Sequence, residues 1–228
     1  MGEKAEKAAA KKDGAGWPDG KCRCHWANPK NEAYIRYHDE EWGVPVHEDG
    51  KLFEMLLLET FQTGLSWECV LNKREAFRRA FDGFDPEKIA AYPQEKIEEL
   101  AADPGIIRNR AKIRAAVNNA GVFLEIRREW GSFSRYLWHW TDGKLIHETG
   151  KTVSPLSDAV SADLKKRGMK FTGSTMVYSY LQAVGVIESH EKGCFLAETD
   201  RKRRASAGIC QTEVFPGSSR QAEKPDQG

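Results

Sequence analysis

Four residues of the kind that bind zinc stand at opposite ends of the foldable part of this chain: Cys24 and His38 near its start, His190 and Cys194 near its end. If one metal takes them all, the fold must bring those two ends together. Two Cys and two His would fill a tetrahedral zinc shell with no open position, so such a metal would be structural. Spacing alone does not settle the first ligand, because Cys22 lies two residues before Cys24, and His25 and His47 are also near.

The setting of those cysteines follows from what surrounds them. Five is an odd number, and no apolar stretch has the length of a signal peptide or membrane span. A reducing, cytoplasmic location is expected, nucleoid-associated in a bacterium, where cysteines bind metal more readily than they pair. The net charge of +1 excludes a global basic signal for nucleic acid, so any basic surface has to be local. Residues 1–20 and 197–228 read as disordered tails, the second carrying Arg201-Lys-Arg-Arg204, which leaves 21–196 as the folded domain. Hydrophobic residues make up 40% of the chain, enough to fill a core of that size.

Helical spacing runs through 51–61, 86–101, 111–130, 132–140, 157–167 and 174–184. Val177, Tyr180, Leu181 and Val184 form one apolar stripe; Ala116, Ala120, Phe123 and Leu124 form another. Strand alternation is scarce, with 144–153 the one weak candidate. The fold class predicted is all-α.

Two segments carry chemistry. On the helix from Lys51, Glu59 follows Leu52 by seven, Met55 by four and Leu56 by three, which puts a carboxylate on the apolar face. A buried carboxylate is costly unless it is paired or has work to do. The turn Gln62-Thr-Gly-Leu-Ser-Trp67 follows, with Leu65 at its tip, suited to wedging into a base stack. Upstream, Trp26, Tyr34, Tyr37 and Trp42 crowd among acidic residues. Flat rings around a carboxylate are what a nucleobase pocket needs. A basic run, Lys165-Lys-Arg167 with Lys170, precedes the turn Thr172-Gly-Ser-Thr175, where helix-start amides would meet a phosphate. Arg108, Arg110 and Lys112 form a second basic cluster.

Taken together, Cys24-x-Trp26, Tyr37-His38-Asp39-x-Glu41-Trp42-Gly43-Val44-Pro45, Leu52-Phe-Glu-Met55, Leu58-Glu59, Gln62-x-Gly64-Leu65-Ser66-Trp67, Gly105-Ile-Ile-Arg-Asn109, Lys112-Ile113, Lys165-Lys-Arg-Gly168, Phe171 and His190-x-x-x-Cys194 resemble the DNA-3-methyladenine glycosylase I family, from about Cys24 to Cys194. The resemblance implies an all-helical member of the helix-hairpin-helix DNA glycosylase superfamily, whose single structural zinc, held by Cys24, His38, His190 and Cys194, joins the chain ends. It implies that Glu59 recognises the base, that Tyr37 and Trp67 line its pocket with Trp26 and Trp42 beside them, and that Gly64, Leu65 and Ser66 probe the DNA stack.

The expected partner is double-stranded DNA containing 3-methyladenine, bound through Lys165, Lys166, Arg167, Lys170 and Gly173, by a monomer that uses no nucleotide cofactor and no membrane. N3-methylation makes adenine cationic and a good leaving group, so the enzyme needs selection more than force, and stacking a cation on Tyr and Trp faces adds about 0.5 to 2 kcal/mol. Many superfamily members carry a catalytic Asp two positions before a His, and Glu188 stands two before His190. This family is read as lacking that Asp, so a catalytic part for Glu188 is the weaker expectation. A zinc-stabilised module that binds DNA without cutting it has no use for Glu59 and its aromatics, and a metallohydrolase needs an open zinc position.

Overall fold

The computed structural model describes Trp17 and residues 19–197. The chain divides into two compact units: residues 23–191 form a helical body, and Met1–Cys22 with Lys192–Gly228 form a smaller one, described at Trp17, 19–22 and 192–197. Within the smaller unit the Phe195 amide donates to the Cys22 carbonyl at 2.7 Å, and the Lys21 ammonium lies 5.0 Å from the centre of the Phe195 ring. Most of each expected tail, Arg201-Lys-Arg-Arg204 included, lies outside the described residues.

The helical body begins with α1 (Glu32–Arg36), which runs directly into a π-helical turn, Tyr37–Glu41. Then follow α2 (Asp49–Gln62), α3 (Trp67–Leu71), α4 (Arg74–Ala80), a 3-10 turn (Asp82–Phe84), α5 (Pro86–Ala90), α6 (Gln94–Ala102), α7 (Arg110–Trp130), α8 (Phe133–His139), α9 (Pro155–Lys166) and α10 (Ser174–Ala183). The strand candidate shrinks to β1 (Ile146–His147), paired in parallel with β2 (Ile187–Glu188). The expected all-α class holds. Among the described residues, no helix is long and apolar enough to cross a membrane.

Sequence periodicity locates the long helices and misses the short ones. The segment 86–101 is two helices, because Pro93 lacks an N–H and drives Tyr92 out of helical geometry. α1, α3 and α4 are too short to show a stripe. The first two instead depend on caps: Asn31 accepts from the Tyr34 amide, and Ser66 from the Cys69 amide. Val177, Tyr180, Leu181 and Val184 are all buried as expected, but along α7 the half-buried Leu124 yields its place to Ile126.

α2 is the central element, with every residue from Leu52 to Phe61 buried. Helices α3, α7, α8 and α10 pack against it, with Phe53 edge-on to Phe123 at 5.0 Å and the Tyr180 hydroxyl donating to the Leu52 carbonyl at 3.1 Å. A helix enclosed on all sides has no wet face, so its two glutamates, Glu54 and Glu59, go inside with the leucines.

Candidate functional site

Glu59 lies one turn before the end of α2 and is 3% exposed, and its Oε2 is buried without a hydrogen-bond partner. With no cation to offset it, burial raises its carboxyl from 4.5 to about 8. The Tyr37 ring, fully inside the body, feels that carboxylate: burial first and the Glu59 charge second push its hydroxyl well above 10. Tyr34, half-buried, is pushed up to about 12 by burial, then by Glu68 and Glu59. Trp67 tilts against Tyr37 at 5.0 Å, with its indole N–H also buried and unpartnered. Two buried polar atoms without partners thus flank Tyr37, and a bound ligand is one way to supply what they lack. Tyr34 is a pocket neighbour that periodicity could not single out.

The π turn puts consecutive residues Tyr37 and His38 both into the interior, Tyr37 toward Glu59 and His38 toward Cys24. His38 Nε2 lies 3.3 Å from the Cys24 amide nitrogen, and Cys24 Sγ lies 3.5 Å from His190 Nδ1. Zinc bonds of about 2.3 Å to sulfur and about 2.0 Å to nitrogen at a tetrahedral angle space those two atoms by about 3.5 Å, so the donors fit that ion. Cys24, His38 and His190 are all buried, their ligand atoms within 4.8 Å of one another, and form a group able to hold a metal. Of the alternatives, His25 is exposed and binds Glu191, while His47 stacks on Trp138 at 4.6 Å. Cys194 belongs to the smaller unit, where its reduced thiol is buried.

A second layer, unseen in the sequence, orients these ligands. Asp39 Oδ1 meets His38 Nδ1 at 2.8 Å, and Arg23 grips the same carboxylate through Nε (2.8 Å) and Nη2 (2.6 Å). A carboxylate at Nδ1 holds the proton there and makes Nε2 the coordinating nitrogen. The Glu191 amide donates to Cys24 Sγ at 3.3 Å. Trp26 and Trp42, expected as neighbours of the pocket, also wrap the histidines: Trp26 lies 5.1 Å from His38 and 5.6 Å from Tyr34, and Trp42 lies 4.7 Å from His190.

On the DNA-facing expectations the structure divides the residues. Thr63 to Ser66 form an exposed turn, Gly64 taking φ +81, which a side chain resists. Leu65 is 44% exposed at its tip. Lys165, Lys166 and Lys170 are exposed, and Gly173 caps α10. Arg167, by contrast, pairs with Glu129 and Asp163 over the Tyr136 ring. Arg108 and Arg110 are exposed, but Lys112 is buried, so it cannot serve that basic cluster. Glu188 accepts from the His190 amide at 3.0 Å and approaches His147 Nδ1 at 3.4 Å. Those contacts orient the loop after β2, and none of them reaches Glu59.

Comparison with known proteins agrees with this geometry. A profile of the methyladenine glycosylase family matches residues 26–197. DNA-3-methyladenine glycosylase 1 of Escherichia coli (strain K12) is 44% identical over 178 residues, covering 75% of this chain and 95% of that protein. Among solved structures, a 3-methyladenine DNA glycosylase I superposes with a TM-score of 0.74 at 44% identity, covering 77% of this chain and 99% of its own. A tyrosine-to-phenylalanine variant of such an enzyme in complex with 3-methyladenine superposes at 0.70 with 38% identity, covering 72% and 92%.

Proposed function

The chain belongs to the methyladenine glycosylase family, and from that premise we propose that it hydrolyses the N-glycosidic bond of 3-methyladenine in alkylated double-stranded DNA, opening base excision repair as a monofunctional glycosylase. The observation that carries this reading is Glu59: a carboxyl buried in the body with one oxygen unpartnered, beside the rings of Tyr37 and Trp67.

Such a pocket selects by charge. A cationic base stacked on Tyr37 and Trp67 gains what neutral adenine lacks, and it favours ionisation of the adjacent Glu59, which then accepts hydrogen bonds from the adenine edge. Water attacks the sugar C1′: the carbon–oxygen bond forms as the carbon–nitrogen bond breaks, the bonding pair neutralises the departing base, and solvent takes the water's proton. No lysine is needed, and the one buried near α2, Lys112, is committed to carbonyls. Leu65, on the Gly64–Ser66 turn, enters the stack to hold open the gap left by the flipped nucleotide, at a cost of a few kcal/mol for the flip. Lys165, Lys166, Lys170 and the Gly173 helix start face the phosphates, and Arg167 supports them through its ion pairs.

Cys24, His38 and His190 hold one structural zinc, with Cys194 as the fourth ligand. Its buried, reduced thiol supports this. The zinc, when bound, supplies rigidity and no chemistry, since four protein ligands leave no site for water. The protein works as a cytoplasmic monomer with a glycosylase domain over 21–196 and no nucleotide cofactor.

The test is release of free 3-methyladenine from methylated duplex DNA by the purified chain, alongside metal analysis. Release and one zinc per chain are expected, and no release from well-folded protein would sink the activity. Cys194→Ser is expected to lose the zinc, melt earlier and excise more slowly, because His38 and Tyr37 are neighbours. A zinc-free variant with full activity would refute that link and leave the activity standing.

A further inference from the structure

Lys112 is 5% exposed and sits in the first turn of α7, where its own amide is capped by Asn109 Oδ1 at 3.1 Å. Its Nζ donates to the Phe61 carbonyl at 2.8 Å and the Thr63 carbonyl at 2.5 Å. These are among the last carbonyls of α2, which no amide of that helix can satisfy. Among the described residues no carboxylate pairs with it, and burial pulls its ammonium below the usual lysine range. A buried lysine is an expensive cap where a glycine turn normally serves. Here a glycine is already present: Gly64 follows Thr63, and the Leu65 amide closes the turn on the Gln62 carbonyl at 2.7 Å. The lysine therefore fixes something the turn by itself does not.

Its two acceptors bracket the end of α2. Phe61 is two residues after Glu59, and Thr63 is two residues before Leu65. We propose that Lys112 is a positioning residue for base extrusion, clamping both carbonyls so that Leu65 stands at a set height relative to Glu59 and the two act on the same nucleotide. This rests on the reading of Leu65 as the wedge. Phe61 and Thr63 carry no message in their side chains for this purpose, since the clamp is made to backbone oxygens.

A wedge matters where a stacked neighbour must be displaced, so duplex and single-stranded substrates separate this role from plain helix capping. Excision is measured on oligonucleotides carrying one 3-methyladenine in each form, with binding of free 3-methyladenine in parallel. Lys112→Met is expected to lower duplex excision about tenfold, with a loss at least about five times larger than on single strand, while Lys112→Arg restores most of it. Combined with Leu65→Ala, the double variant is expected to be no slower than the slower single one.

Equal losses on both substrates, or additive losses in the double variant, would reduce Lys112 to a structural cap. If Leu65→Ala slows duplex excision but Lys112→Met does not, this proposal alone fails. If Leu65→Ala changes nothing, the wedge reading fails and takes this proposal with it. Should Lys112→Met not fold, Lys112→Gln, which keeps an amide donor group on a shorter, uncharged side chain, is read by the same ratio.

Discussion

Glu54 and Glu59 lie five residues apart on one helix, 4% and 3% exposed, yet their surroundings give them opposite chemistry. Glu54 meets Arg74 at 2.8 Å, Arg78 at 2.7 Å and Lys51 at 3.3 Å. Burial alone would raise its carboxyl, but Arg74 above all, with the other two cations, brings it below 4.5. Arg74 also forks onto Glu41 at the end of the π turn, through Nη1 and Nη2 at 2.9 Å each. There too burial is overruled, by Arg74 and Lys51, and the carboxyl falls to about 2. Among the described residues Glu59 has no such cations paired with it, and it rises to about 8. One glutamate, through Arg74, ties the segment bearing Tyr37 and His38 to α2, and the other keeps an oxygen without a partner. Burial of a carboxylate is therefore not by itself the signature of a site; burial without a partner is.

The largest expected effect comes from Glu59→Gln, which keeps shape but loses charge. Excision of 3-methyladenine should fall at least about a hundredfold, or about 2.7 kcal/mol, while the melting temperature holds or rises. Undiminished excision would erase the contrast. Next, Arg74→Met leaves Glu41 and Glu54 without their main cation. We expect a loss of about 3 kcal/mol, a fall in Tm of roughly 6 to 12 °C, and a shift of less than about 2 °C would show that the network is not a tie.

The two carboxylates should also tilt stability with pH in opposite senses. Glu59 has a raised folded-state pKa, so its contribution is complete below about 4.5 and is lost as pH climbs through about 8. Glu41, depressed to about 2, contributes above 4.5 and loses that contribution as pH falls toward 2. Thermal melts of Glu59→Gln against the parent should thus diverge from pH 5 upward, by about 5 kcal/mol at pH 9, and coincide at pH 4. Parallel curves across that range would mean that Glu59 already has a partner in solution. The smallest effect is reserved for Glu188→Gln: with its oxygens occupied by His190 and His147, excision should stay within about twofold, and a larger loss would give this third glutamate a place in the chemistry.

Much of the site is legible in the order of residues along the chain. Glu59 shows itself by standing on an apolar stripe, the glycine turn by its composition, and Cys24, His38 and His190 by being metal-type residues grouped at the chain's ends. What misleads is equally particular. Lys112 and Arg167 read as surface cations but are committed to carbonyls and carboxylates of the protein itself. A sequence displays what a side chain can do and, through its period, which face it lies on.

By itself, then, the sequence determined the helical class, the place of Glu59 on an apolar face and the inventory of donors and rings, because apolar spacing and residue chemistry are local properties. Only the tertiary structure decided which glutamate received cations and which was left alone. Arg74 and Arg78 lie twenty and more residues from Glu54 and reach it because α4 packs where it does, while among the described residues no cation pairs with Glu59, the nearby Lys112 being spent on backbone carbonyls. The energy of a buried charge depends on neighbours within a few ångströms, and those neighbours are set by packing between helices, which periodicity along one helix does not encode.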